Sequence, residues 1–256
     1  MVAGIEKFRE YFAGHEDQYA VIGGAACDLL FDAAGLPFRA TKDIDMVLCV
    51  EVVDAAFGAT FKAFLDAGGY EARERSDGKK EFYRFHRPAD KSFPFMIELF
   101  ARKPGTLSLP DDAELTPIPV DEDVLSLSAI LLDEGYYEAL HAAKRQLDGV
   151  TVIDETLLIP FKARAFLDLT ERAQNGEKID SKNIKKHRND VFRLLQLLPA
   201  DANIEVPEPI RADLRRFVDL VEGDDTLDPK AFQVKMTRAE GVALLRSGYG
   251  LNTDSA

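Results

Sequence analysis

Two cysteines, Cys27 and Cys49, are all the sequence holds. Two thiols make neither a framework of several disulfides nor a cysteine-rich metal cluster. Both sit among apolar residues, where small buried thiols are common. Long apolar runs are lacking too. No uncharged stretch approaches the roughly 18 residues that a membrane span needs, and residues 1–10 already carry Glu6, Lys7, Arg9 and Glu10. The chain therefore reads as cytoplasmic, with no membrane partner. Positive charge is scarce: 32 Lys and Arg against 45 Asp and Glu leave a net charge of −13. That balance argues against a protein that coats nucleic acid with a broad basic face, since such binding neutralises many phosphates. The acidic residues form no block, no internal repeat or low-complexity segment is present, and His15, His86 and His141 lack ligand-like spacing.

What remains is 256 residues, 46% hydrophobic and 30% charged, enough for one large domain or two small ones. Residues 18–22 are rich in β-formers and lead into Gly23-Gly24. A helix is expected over 25–34, capped by Gly35. After a proline-containing loop comes an apolar strand over 43–50, then helical spacing over 52–67 ending at Gly68-Gly69. This alternation favours an α/β sheet. Two aromatic-rich runs, 81–87 and 93–100, read as an antiparallel hairpin. Residues 104–119 hold four prolines and read as an extended connector, with a further strand over 124–132. Beyond residue 155 the pattern turns helical, with helices expected over 156–174, 181–198, 209–221 and 238–247. The domains are accordingly 1–154 and 155–256.

Asp43 and Asp45 lie two apart on the expected strand, so both carboxylates project from one face. Like charges set side by side among Ile44, Met46 and Val47 are costly unless a cation compensates. Hard oxygen ligands of this kind suit Mg²⁺ in phosphoryl and nucleotidyl transfer. An Asp-x-Asp also occurs as ordinary surface or capping aspartates. Gly23-Gly24, where a strand passes into a helix, offers backbone N–H groups to phosphates, though a tight turn uses glycine equally well. A helix and a loop later, the paired acids would bring the end of the next strand to the same sheet edge. Glu98 is the one charge in residues 93–100 and needs a partner there. Either it completes a metal site and accepts the acceptor hydroxyl's proton, or it pairs with Arg84 or Arg102 on a solvated face.

Gly23-Gly24, then Arg39-x-Thr41-Lys42-Asp43-Ile44-Asp45, then Ile97-Glu98-Leu99 resembles the pattern of polymerase-β-like nucleotidyltransferases. It is similar in particular to the AbiEii and MenT toxins of type IV toxin–antitoxin systems. The resemblance implies an α/β nucleotidyltransferase core, a mixed sheet with flanking helices, followed by an α-helical C-terminal domain. It implies Mg²⁺ on Asp43, Asp45 and Glu98, and a nucleoside triphosphate bound through Gly23, Gly24, Thr41 and Lys42. In the helical half, residues 157–162 look like the family's lysine-bearing helix and residues 186–195 like its acidic one. Lys162 would then contact the triphosphate and Asp190 would help hold the site together. His187 stands where relatives often carry an acid. Because proline is tolerated in a helix's first turn, Pro160 would start the lysine's helix near Ile159.

The function expected is transfer of a nucleotidyl group from a nucleoside triphosphate to an acceptor hydroxyl. A toxin of this kind implies tRNA as acceptor and a cognate antitoxin as partner. A small-molecule acceptor, as in aminoglycoside nucleotidyltransferases, suits the acidic charge better. An inert nucleotide- or partner-binding module is the third reading. Lys182, Lys185, Lys186, His187 and Arg188 form either a charged helix face or an RNA-docking strip.

Overall fold

The computed structural model describes residues 2–49, 52–72, 82–100 and 133–251. These form two compact units. The first comprises the described residues up to 100 together with Lys144–Asp154, and the second comprises residues 133–143 and 155–251. The expected connector over 104–119 and strand over 124–132 lie outside the described residues.

The first unit runs α1 (Ile5–Phe12), β1 (Tyr19–Ile22), α2 (Gly23–Ala33), β2 (Asp43–Leu48), α3 (Ala55–Gly68), β3 (Glu71–Ala72), β4 (Phe82–His86) and β5 (Met96–Phe100). It then takes in β6 (Lys144–Leu147) and β7 (Val150–Ile153). The seven strands form one mixed sheet in the order β3-β4-β5-β2-β1-β7-β6. β2 pairs parallel with β5 and β1 with β7, and the remaining neighbours are antiparallel. A mixed α/β sheet with flanking helices is thus present, as is the expected hairpin of β4 and β5. The β6–β7 hairpin was not anticipated. Its signal is Asp148-Gly149, both at positive φ (48° and 77°), the pairing a two-residue hairpin turn favours.

Alternation on β2 sets the chemistry apart from the core: Ile44 and Met46 are fully buried, while Asp43 and Asp45 keep partial exposure. Aromatic packing anchors the helices α1 and α3 to each other. Phe8 and Phe12 meet Phe64, with Phe57 and Phe61 completing the cluster. Each such ring pair adds about 0.5–1.5 kcal/mol beyond simple burial. Cys27 and Cys49 are both buried.

In the second unit lie α4 (Glu134–Ala142), α5 (Glu155–Gln174), α6 (Ser181–Leu194), α7 (Glu208–Glu222) and α8 (Arg238–Gly248), with short 3₁₀ turns at Leu195–Leu197 and Pro229–Phe232. The expected α-helical C-terminal part is present, and α4 is an addition to it. Asp213 on α7 ties three helices together. It accepts hydrogen bonds from the Tyr136 hydroxyl of α4 at 2.9 Å and from Arg164 Nη1 of α5 at 2.8 Å.

Pro160 corrects one expectation. α5 begins at Glu155, so the proline lies inside the helix rather than opening it near Ile159. A proline cannot donate to the carbonyl four residues back, which here belongs to Thr156. That carbonyl instead accepts the Tyr249 hydroxyl at 2.8 Å.

Candidate functional site

Strand pairing assembles the candidate residues into a row. Ile22 on β1 stands opposite Asp45 on β2, Asp45 opposite Glu98 on β5, and Glu98 opposite Arg84 on β4. Because β1 and β2 are antiparallel, the end of β1 meets the start of β2, and not the end of the next strand as the βαβ reading had it. Gly23 and Gly24 follow Ile22 directly as the first residues of α2.

Gly23 is required twice over. Its φ is +66°, and a Cβ there would collide with Asp45 Oδ2. At Gly24 an added Cβ would sit 3.1 Å from Thr41 Oγ1 and 3.6 Å from Arg39 Nη2. The glycine turn, Thr41, Arg39 and Asp45 are therefore immediate neighbours. Ile22 caps α2 without a side-chain hydrogen bond, and the first turn contains no acid. The N–H groups opening α2 thus gain no acceptor from the N-cap side chain or from an acid of their own first turn, and they present the positive end of the helix dipole. Lys42 is exposed, and its backbone carbonyl accepts the Phe95 N–H at 3.1 Å.

Glu98 is 6% exposed. Nε and Nη2 of Arg84 both converge on its Oε1. Burial pushes the Glu98 carboxyl up to about 9. The Asp45 carboxylate and a hydrogen bond to it push the same way, while Arg84 opposes them. The Arg84 partner was one of two alternatives open to Glu98; Arg102 lies outside the described residues. The pair is buried, so it does not lie on the solvated face that this alternative supposed.

Mg²⁺ was expected on Asp43, Asp45 and Glu98, of which Asp45 and Glu98 are register partners. Among the described residues no group of three His, Cys, Asp or Glu side chains is arranged to hold a metal ion. Asp43 and Asp45 share a face of β2 and have the donor chemistry for one hard cation. Glu98 touches both Arg84 and Asp45.

Lys162 and Asp190 belong to the second unit. They are brought together with each other: Lys162 Nζ lies 3.4 Å from Asp190 Oδ2, and both are buried. Asp190 Oδ1 also accepts Arg193 Nη1 at 2.9 Å, and that guanidinium stacks 5.0 Å from the Phe232 ring centre. The basic run nearby divides. Lys182 and Lys185 are exposed and Lys186 partly so, but His187 and Arg188 are buried, and Arg188 pairs with Asp224. The five residues therefore do not form one strip.

No protein-family model and no curated protein matches the chain. Solved structures are similar to it. One is an antigenic nucleotidyltransferase-like protein from Paracoccidioides brasiliensis, 16% identical, with a TM-score of 0.44 over 92% of each chain. Another is the antibiotic-resistance factor ANT(2'')-Ia, also 16% identical, with a TM-score of 0.40 over 86% of this chain and 93% of that one. Similarity at this level leaves the function to be argued from the site itself.

Proposed function

We propose that the first unit transfers a nucleotidyl group from a nucleoside triphosphate to an acceptor hydroxyl. The observation that carries this reading is the contact between Gly23 and Asp45. A helix N-terminus suited to an anion lies against a carboxylate, and a phosphate there would meet like charge unless a divalent cation bridged the two. Asp43 and Asp45 would hold that Mg²⁺, which when bound neutralises the phosphates and polarises the reacting one. The N–H groups of Gly23 and Gly24, with the Thr41 hydroxyl and Lys42 nearby, would orient the triphosphate. Glu98, whose hold on a proton burial has strengthened, is fitted to take the proton of the acceptor hydroxyl.

The second unit supports a bracing role for Asp190, which holds both Lys162 and Arg193. On the acceptor, burial of His187 and Arg188 removes two of the five basic residues that an RNA strip would use. Together with the net charge of −13, this favours a small cationic acceptor over tRNA. The toxin reading, with tRNA and a cognate antitoxin, is the alternative.

Calorimetric titration with each nucleoside triphosphate, with and without Mg²⁺, tests the proposal. Binding should require Mg²⁺ and be lost in Asp43→Asn and Asp45→Asn, which should still fold. Absence of binding, or binding indifferent to Mg²⁺ and to both substitutions, would overturn it. Labelled triphosphate offered with total RNA or with aminoglycosides separates the acceptors by which species takes the label.

A further inference from the structure

Three residues extend the sheet one step beyond the strands that carry the site. The Phe95 N–H donates to the Lys42 carbonyl at 3.1 Å, and the Arg87 N–H donates to the Phe95 carbonyl at 3.0 Å. Lys42 leads into β2, Phe95 leads into β5 and Arg87 follows β4. The row therefore borders Asp43 at the sheet edge where Gly23 and Gly24 open α2. All three residues are exposed. Phe95, at 48%, is the most exposed large apolar residue among those described. The segment before it is firmly held. Phe93 is buried against Phe64, and the Pro94 carbonyl accepts the Tyr70 hydroxyl at 2.6 Å. A Cβ at Gly4 would collide with the backbone of Phe93 and Pro94, so the start of α1 closes on the segment too. Arg87 has φ +53°, a conformation that glycine or asparagine adopts more readily than arginine.

A flat apolar ring between two cations, in a chain of net charge −13, matches a ligand that joins a flat ring to negative charge. A nucleotide is such a ligand. The strands follow along the edge in the order β1, β2, β5, β4. The glycine turn, Lys42, Phe95 and Arg87 thus succeed one another at strand spacing, about 14 Å from the first strand to the last. We propose that the nucleoside triphosphate lies across these strand ends, its phosphates at Gly23, Gly24 and Lys42 and its base stacked on Phe95, with Arg87 beside the base. Stacking uses the π-face that every base has, and an arginine adds a cation–π contribution. Purines, whose fused rings cover more of Phe95, should be preferred. The inference rests on the function proposed above and deepens it, naming what holds the base.

Calorimetric titrations of the full-length chain with Mg²⁺ compare ATP, GTP, CTP and UTP with inorganic tripolyphosphate, which offers phosphates alone. The parent should bind the purine nucleotides most tightly. Phe95→Ala should weaken them about tenfold, narrow the gap between purines and pyrimidines, and leave tripolyphosphate within about twofold. Phe95→Tyr keeps the ring and should bind nucleotides like the parent. Arg87→Gln should weaken nucleotides about threefold without affecting tripolyphosphate, whereas Lys42→Gln should weaken both. Because the ring is exposed, Phe95→Ala should melt with the parent; Phe95→Leu, apolar but without a flat ring, gives the same comparison if it does not. Nucleotide affinity unchanged in Phe95→Ala would overturn the inference and leave the proposed function standing, as would equal losses of nucleotide and tripolyphosphate. Unchanged nucleotide affinity with weakened binding of a single-stranded oligoribonucleotide would also overturn it and assign the row to the acceptor. No nucleotide bound by the parent would overturn the function and the inference together.

Discussion

A methyl group added at Gly23 probes the contact on which the site depends. Its backbone sits at φ +66°, where an L-residue pays about 1–2 kcal/mol. Loss of glycine's freedom in the unfolded chain returns about 0.4–1 kcal/mol, leaving a net backbone cost of about 1 kcal/mol. The new Cβ would also collide with Asp45 Oδ2 and lie 3.0 Å from Asp45 Cγ. The carboxylate must rotate away, at about 0.5–1.5 kcal/mol for an off-rotamer side chain. Gly23→Ala should therefore cost about 2 kcal/mol, read by urea unfolding, and nucleotide affinity should fall with it. Gly24→Ala is the control. No positive φ constrains that position, the one tight contact of its Cβ would be the Thr41 hydroxyl at 3.1 Å, and alanine favours a helix. Its effect should stay within about 0.5 kcal/mol of zero. The collision is isolated by a double-mutant cycle: in an Asp45→Ala background, Gly23→Ala should cost only the backbone part, so about 1 kcal/mol of coupling appears. Equal losses at the two glycines, or no coupling to Asp45, would refute the reasoning.

In the second unit, Asp190→Ala leaves Lys162 buried without this carboxylate and should cost about 3–5 kcal/mol in urea unfolding; a loss under about 1 kcal/mol would mark the pair as incidental. Tyr249→Phe takes the hydroxyl from the Thr156 carbonyl and should cost about 1–3 kcal/mol by the same assay. Pro160→Ala restores a donor N–H at that carbonyl, so it should be less harmful, or helpful, in the Tyr249→Phe background. Independent, additive effects would show that Tyr249 does not stand in for the missing bond.

The elements of the site were legible because their signals are local. Period-two alternation put Asp43 and Asp45 on one face of β2, and burial follows that alternation. Gly23-Gly24 marked the junction of β1 and α2 because few other residues could occupy φ +66° against a carboxylate. The lone charge of β5 announced that Glu98 needed a partner, and Arg84 is that partner. What local signals could not give is strand order and direction. The other neighbours of β1 and β2 are β7 and β5, which begin 102 and 48 residues after β2 ends at Leu48, beyond the reach of a local pattern. The antiparallel outcome moved the meeting point to the start of β2. The β6–β7 hairpin went unread although Asp148-Gly149 is a local signal. It follows α4, a helix of the other unit that also went unread, so the chain's return to the sheet had no marker in the pattern before it.

The basic run 182–188 failed for a reason that helix geometry itself supplies. At 3.6 residues per turn, each residue advances about 100°. Lys182, Lys185 and Lys186 then fall within one side of α6, while His187 and Arg188 point away from it and from each other. Burial follows that division, and Arg188 finds Asp224. Consecutive charges in a helix are a cluster in sequence and a spread in space, so only the first three could meet a phosphate backbone together. Each contact to a single strand adds about 0.7 to the salt slope, so three lysines would give a slope of about 2. An RNA acceptor held only by this face would be released by modest salt, and a tRNA-directed enzyme would need further cations elsewhere. A small cationic acceptor needs none of them, and the chain's excess of acids already suits it.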